Sequence, residues 1–132
     1  MRRVKSLLAV LALAALWFTP VVAAAQEPPS VLQVILVDVA PTNVDAYVAE
    51  LGELQGLLSK AGLSPIRVWQ STLAGPNTGT IAITIESKNL AGFAANTGKI
   101  QASPEIQKWL DELQEKGLGD LVSNSLLVDR TP

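Results

Sequence analysis

Residues 31–40, VLQVILVDVA, constrain the architecture of the protein more than any other segment. The branched aliphatic residues of this stretch predict a β-strand at residues 31–39, which Pro41 ends. Alternate residues of a strand point to opposite sides of a sheet. One set is Val31, Gln33, Ile35, Val37 and Val39, and the other is Leu32, Val34, Leu36 and Asp38. Each side of the strand therefore has at least three large aliphatic side chains to be covered.

The elements that follow are predicted from periodicity. Apolar residues at three- and four-residue intervals predict a helix over residues 44–61, with Thr42 or Asn43 as its cap. Two further strands are predicted at residues 65–72 and 80–86, and the second of them has the most regular alternation in the chain. A turn rich in glycine, proline and asparagine connects these two strands.

The second helical region is predicted to consist of two pieces. Ser87 can cap its start, and the region breaks near Ser103-Pro104, where a serine cap precedes a proline in the first turn. A last strand is predicted at residues 121–129. The order is therefore βαββαβ, which predicts an α+β, ferredoxin-like fold with a four-stranded antiparallel sheet and its helices on one face.

The face of the sheet away from the helices then needs a cover. Burial of three aliphatic side chains contributes on the order of 5 kcal/mol, which is comparable to the whole stability of a small domain. We therefore expect a homodimer in which two sheets close face to face. The alternative is that a loop, or the segment QEPPS at residues 26–30, covers this face within one chain.

The N-terminal residues have the layout of a signal peptide. Basic residues precede twelve apolar residues, from Leu7 to Phe18, and small residues follow at 23–25. We expect a signal peptide at residues 1–25, a flexible lead at 26–30, one domain at 31–132, and a periplasmic or secreted protein. An uncleaved membrane anchor is the alternative, although the apolar run is shorter than the roughly 20 residues of a spanning helix.

Composition excludes several kinds of chemistry. The expected mature chain has twelve acidic and seven basic residues, a formal charge of −5, which argues against nucleic-acid binding. The chain has no cysteine and no histidine, so disulfides, haem ligation by histidine and histidine-dependent nucleophilic catalysis are closed to it. We expect no metal, no cofactor and, after cleavage, no membrane association.

Residues 67–110, RVWQSTLAGPNTGTIAITIESKNLAGFAANTGKIQASPEIQKWL, resemble the dimeric α-β barrel superfamily, in particular antibiotic-biosynthesis-monooxygenase and NIPSNAP domains. The shared features are an aromatic residue on the second strand, here Trp69, a glycine-containing turn, a branched third strand ending in Glu86, and a late helix beginning at SPE. The resemblance implies a dimer that encloses a pocket. Members range from cofactor-free oxygenases to haem-handling proteins and proteins without an assigned activity.

The candidate ligand-binding residues are Arg67, Trp69 and Thr84. Alternation places Arg67 and Trp69 on one side of their strand, where Trp69 could form a flat wall and Arg67 could hold an anion. The alternatives are that Trp69 fills a dimer core, that Arg67 lies at a solvated edge, and that Thr84 only satisfies a neighbour or a water. Asp38 and Glu86 could form a carboxylate pair only if the fold brings them together.

Three functions remain open from the sequence. The first is an exported dimer that binds a small apolar or aromatic ligand. The second is a cofactor-independent monooxygenase for phenolic or quinol-like compounds, which the resemblance implies would use tryptophan, arginine and asparagine, here Trp69, Arg67 and Asn124. The third is an assembly module for another envelope protein.

Overall fold

The computed structural model describes residues 27–72 and 75–132, so the expected signal peptide lies outside the described residues. The strands are β1 Val31–Val39, β2 Ile66–Gln70, β3 Ile81–Ser87 and β4 Gly119–Val128, and the helices are α1 Val44–Lys60, α2 Leu90–Ala102 and α3 Pro104–Lys116. Short 3-10 turns lie at Pro41–Asn43 and Gly75–Asn77. The predicted α+β class is confirmed. No helix in the described ranges is long and apolar enough to cross a membrane.

The four strands form one antiparallel sheet in the order β2-β3-β1-β4. Strand β1 therefore has a neighbour on each side. Its Ile35 lies opposite Ile83 of β3 and Asn124 of β4. The short β2 and the longer β4 are the two edges. This arrangement is compatible with the ferredoxin-like fold that the sequence predicts.

The core lies on one side of the sheet, between the sheet and helices α1 and α3. Its buried members are Val37, Val39, Tyr47, Leu51, Ile81, Ile83 and Trp109. Because Val37, Val39 and the partly buried Ile35 face these helices, the alternating set of β1 lies on the other side. Helix α2 has no buried residue, so it contributes little to this core.

The break in the second helical region is confirmed. Ser103 accepts a hydrogen bond from the backbone N–H of Ile106 at 3.3 Å, which caps α3. The cap of α2, however, is Asn89, whose side-chain oxygen accepts from the N–H of Gly92 at 2.8 Å. Ser87 is instead the buried last residue of β3. Strand pairing continues through the position that the sequence assigns to the cap.

Asn43, one of the two predicted caps, holds the N-cap position of α1, but its side chain does not make the capping hydrogen bond. Neither the 3-10 turn at Pro41–Asn43 nor α1 has a side-chain cap hydrogen bond. The backbone N–H of Asn43 instead donates to the carbonyl of Ala40 at 2.8 Å. The tight turn therefore satisfies one free N–H at this helix start with backbone rather than with a side chain.

Two glycines shape the entry into β4. Gly117 has φ 61°, the left-handed conformation that ends α3. At Gly119 an added Cβ would lie 2.8 Å from Cγ1 of Val37, so a larger residue would require the buried valine side chains of β1 to shift. Farther along, the register against β1 shifts between Leu36 and Val37. Because of this irregularity, β4 has one more residue than β1 at this point, and the alternation of its side chains between the two sides of the sheet is interrupted.

Leu51→Ala tests the core. Leu51 is 2% exposed, and its truncation should lower the free energy of unfolding by about 2 to 5 kcal/mol because it removes buried surface and leaves a cavity. The matched control is Leu110→Ala, in α3, where the side chain is 39% exposed. Urea denaturation followed by circular dichroism measures both. Equal losses for the two variants would contradict this core.

Tyr47 gives a spectroscopic test of the same packing, because it is the chain's single tyrosine. Burial raises the pKa of its phenol above the ordinary value of 10.0. The folded state therefore holds the proton more tightly than the unfolded chain does, and this contribution to stability is lost as the pH rises above 10. Tyrosinate absorbance should appear at higher pH in the folded protein than in the unfolded chain. Reversible ionisation near pH 10 in the folded protein would contradict the burial.

Candidate functional site

The side of the sheet away from α1 and α3, called here the open face, combines aliphatic and polar side chains in rows. The middle of it is an aliphatic column from β1, namely Leu32, Val34 and Leu36, each partly exposed. Three rows cross the sheet through this column: Glu86, Leu32 and Leu127; Arg67, Thr84, Val34 and Ser125; and Trp69, Ala82, Leu36 and Ser123. Charge on these rows is confined to Arg67 and Glu86.

A cleft of about 920 Å³ lies at one end of the open face. Side chains of the open face line it, and residues of helices α1, α2 and α3 do not. The lining that matters for recognition is Leu32, Arg67, Trp69, Thr84, Glu86 and Leu127. Within the described part of the chain, the cleft is therefore a shallow site on the sheet rather than a chamber between the sheet and its helices.

The three predicted site residues meet in this cleft. The indole N–H of Trp69 donates to the hydroxyl oxygen of Thr84 at 3.0 Å. The guanidinium carbon of Arg67 lies 5.7 Å from the centroid of the Trp69 ring, within the range of a cation–π contact. Trp69 is 52% exposed, so a large part of the ring remains available to another molecule.

Backbone contacts fix the hairpin that carries these residues. At its start, the N–H of Ile66 donates to the side-chain oxygen of Gln55 in α1 at 2.9 Å. At its other end, the N–H of Ser71 donates to the carbonyl of Thr80 at 3.0 Å, and the N–H of Gly79 donates to the carbonyl of Ser71 at 2.8 Å. The position of Arg67 and Trp69 is thus set from α1 and from β3 together.

The cleft has balanced charge at its rim. Arg67 and Lys88 are its cations, and Glu86 and Asp129 are its anions. The pKa of Asp129 is lowered because it accepts hydrogen bonds from the hydroxyl of Thr131 at 2.6 Å and from the N–H of Thr131 at 2.8 Å. Asp129 is therefore engaged by its own chain, and among the described residues Arg67 has no ion pair.

Two other candidate groupings are not assembled. Asn124 lies on the helix side of the sheet, where its side-chain oxygen accepts from the amide of Gln33 at 3.0 Å, so it does not face Trp69. Asp38 lies opposite Asp120, whereas Glu86 lies opposite Leu32, six residues away along β1. That separation is roughly 20 Å at the rise of a strand, so Asp38 and Glu86 do not form a pair.

The cleft-lining residues that sequence reasoning missed as site residues include Leu32, Lys88 and Leu127. The alternation of β1 places Leu32 on the side opposite the core residues, so the sequence could have predicted that Leu32 lines the site. Lys88 follows β3 directly, and its role depends on where that strand ends. The side on which Leu127 projects depends on the register shift in β4, which no local pattern reveals.

A scan against protein-family models found no match, and a search of curated proteins found no similar one. In the described ranges, no group of three or more acidic, histidine or cysteine side chains could hold a metal ion.

Thr84→Val tests the contact that orients Trp69. The valine methyl cannot accept the indole N–H, so the Nε1–H resonance of Trp69 in a ¹H–¹⁵N spectrum should move upfield and exchange faster with water. Thr84→Ser retains the hydroxyl and should leave the resonance nearly in place. A Trp69→Phe spectrum assigns the signal. If Thr84→Val leaves it unmoved, the hydrogen bond is absent in solution.

Proposed function

We propose that this chain is an exported ligand-binding protein that holds a small apolar or aromatic molecule on the open face of its sheet. The observation that carries the proposal is the cleft in which Trp69, Arg67 and Thr84 contact one another beside aliphatic side chains. An exposed flat ring with a few convergent polar groups is typical of small-molecule sites.

We also propose that a second copy of the same chain covers the open face, in the manner of the dimeric α-β barrels that residues 67–110 resemble. Support comes from the aliphatic column of β1, whose three side chains are partly exposed in one chain. Because one chain already covers much of these side chains, a second copy gains only the burial of the part that is still exposed. The two rows through Val34 and Leu36 carry no charge except Arg67 at the edge, so two such faces can meet without burying an unpaired charge at their centre.

Of the other functions that the sequence leaves open, the monooxygenase has less support. It needs tryptophan, arginine and asparagine around one substrate, and Asn124 lies across the sheet from Trp69 and Arg67. Binding without chemistry needs only the groups that already line the cleft. The assembly module shares the apolar open face with our proposal but differs in the occupant, so solution mass distinguishes the two.

Val34→Lys tests the proposed dimer. The lysine places a charge at the centre of the open face, so the protein should change from two chains to one in sedimentation equilibrium. The matched control is Val48→Lys, on the exposed side of α1, which should remain two chains. Circular dichroism checks that both variants are folded.

Measurements on the wild-type protein can refute the dimer and the ligand binding separately. A single chain at high protein concentration would refute the dimer. A dimer with no calorimetric response to neutral or charged aromatic probes would refute ligand binding while leaving the association in place.

A further inference from the structure

The donors in the cleft form a pair that suits an anion. The indole N–H of Trp69 is a donor only, and it is already used on the hydroxyl oxygen of Thr84. Because that oxygen accepts, the hydroxyl hydrogen of Thr84 remains as a donor. Arg67 lies directly opposite Thr84 on the neighbouring strand, so the two donor groups are adjacent on the open face.

Among the described residues, Arg67 contacts an aromatic ring and has no carboxylate partner. Its guanidinium lies beside the Trp69 ring, and within residues 27–72 and 75–132 it makes no ion pair with a carboxylate. A guanidinium presents parallel N–H groups that match the two oxygens of a planar carboxylate. Contact with the face of an aromatic ring favours this position of the guanidinium and leaves its N–H groups free to bind.

Glu86 is an anion that lines the same cleft as Arg67. It is exposed, and it precedes Ser87 at the end of β3, on the same side of the sheet as Thr84. Its negative charge weakens the attraction of the cleft for an anion, as does that of Asp129, while Lys88 on the same rim adds to the attraction. Removal of the Glu86 charge should therefore strengthen anion binding, an effect with the opposite sign to the loss of Arg67.

We propose that the ligand is an aromatic carboxylate, with its ring on Trp69 and its carboxylate on Arg67 and Thr84. This inference rests on the proposed function and adds the chemical class of the ligand. The aliphatic side chains of Leu32 and Leu127 complete the apolar part of the site. A neutral aromatic molecule of the same shape loses the charge-assisted hydrogen bonds and retains only the apolar contact.

The test compares 2-naphthoate with 2-naphthamide by isothermal titration calorimetry on the full chain at neutral pH. The two probes have the same ring and differ in charge. The carboxylate should bind about tenfold or more tightly than the amide. Arg67→Gln should remove this preference, and Glu86→Gln should increase it.

The matched control is Lys99→Gln, which removes one positive charge from α2, outside the cleft. It should leave the preference for the carboxylate intact. Equal binding of naphthoate and naphthamide, or a preference that survives Arg67→Gln, would overturn the carboxylate while leaving ligand binding in place. If neither probe binds to the wild-type protein, the proposed function fails as well.

Discussion

Strand β1 is paired along both edges and has aliphatic side chains on both sides of the sheet. Pairing with β3 and β4 satisfies its backbone hydrogen bonds within the sheet. Its Val37 and Val39 anchor the core against α1 and α3. The hydrophobic effect is non-directional, so burial of aliphatic surface is favourable on the side of Leu32 as well as on the side of Val37. One chain supplies helices for only one of them in the described residues.

The candidate site follows from that asymmetry. Helices occupy one side of the sheet, so the polar and aromatic residues of the hairpin collect on the other, beside the aliphatic column. Trp69 is then both partly exposed and fixed in orientation, because Thr84 receives its N–H and Arg67 lies against its ring. A rigid aromatic surface loses little conformational freedom when another molecule packs on it. The same features make the open face suitable for a ligand and for a second copy.

Much of this arrangement could be predicted because it rests on local periodicity. Alternation alone places Arg67 and Trp69 together, and the Ser103-Pro104 signal locates the helix break correctly. The cap of α2 could not be assigned from the residue type alone, since Ser87 and Asn89 are both good caps and strand pairing decides between them. The side of β4 on which Leu127 and Asn124 lie depends on an irregularity in long-range register, which leaves no local sequence pattern.

The hydrogen bond between Gln55 and Ile66 has a consequence for how this protein can vary. It anchors the hairpin at the end nearest Arg67, while the connection around Gly75 and Gly79 lies beyond the opposite end of β2. Loop lengthening has a small entropic cost that grows slowly with length. Insertions in that connection, including a grafted peptide, should therefore lengthen the loop without displacing the exposed ring of Trp69.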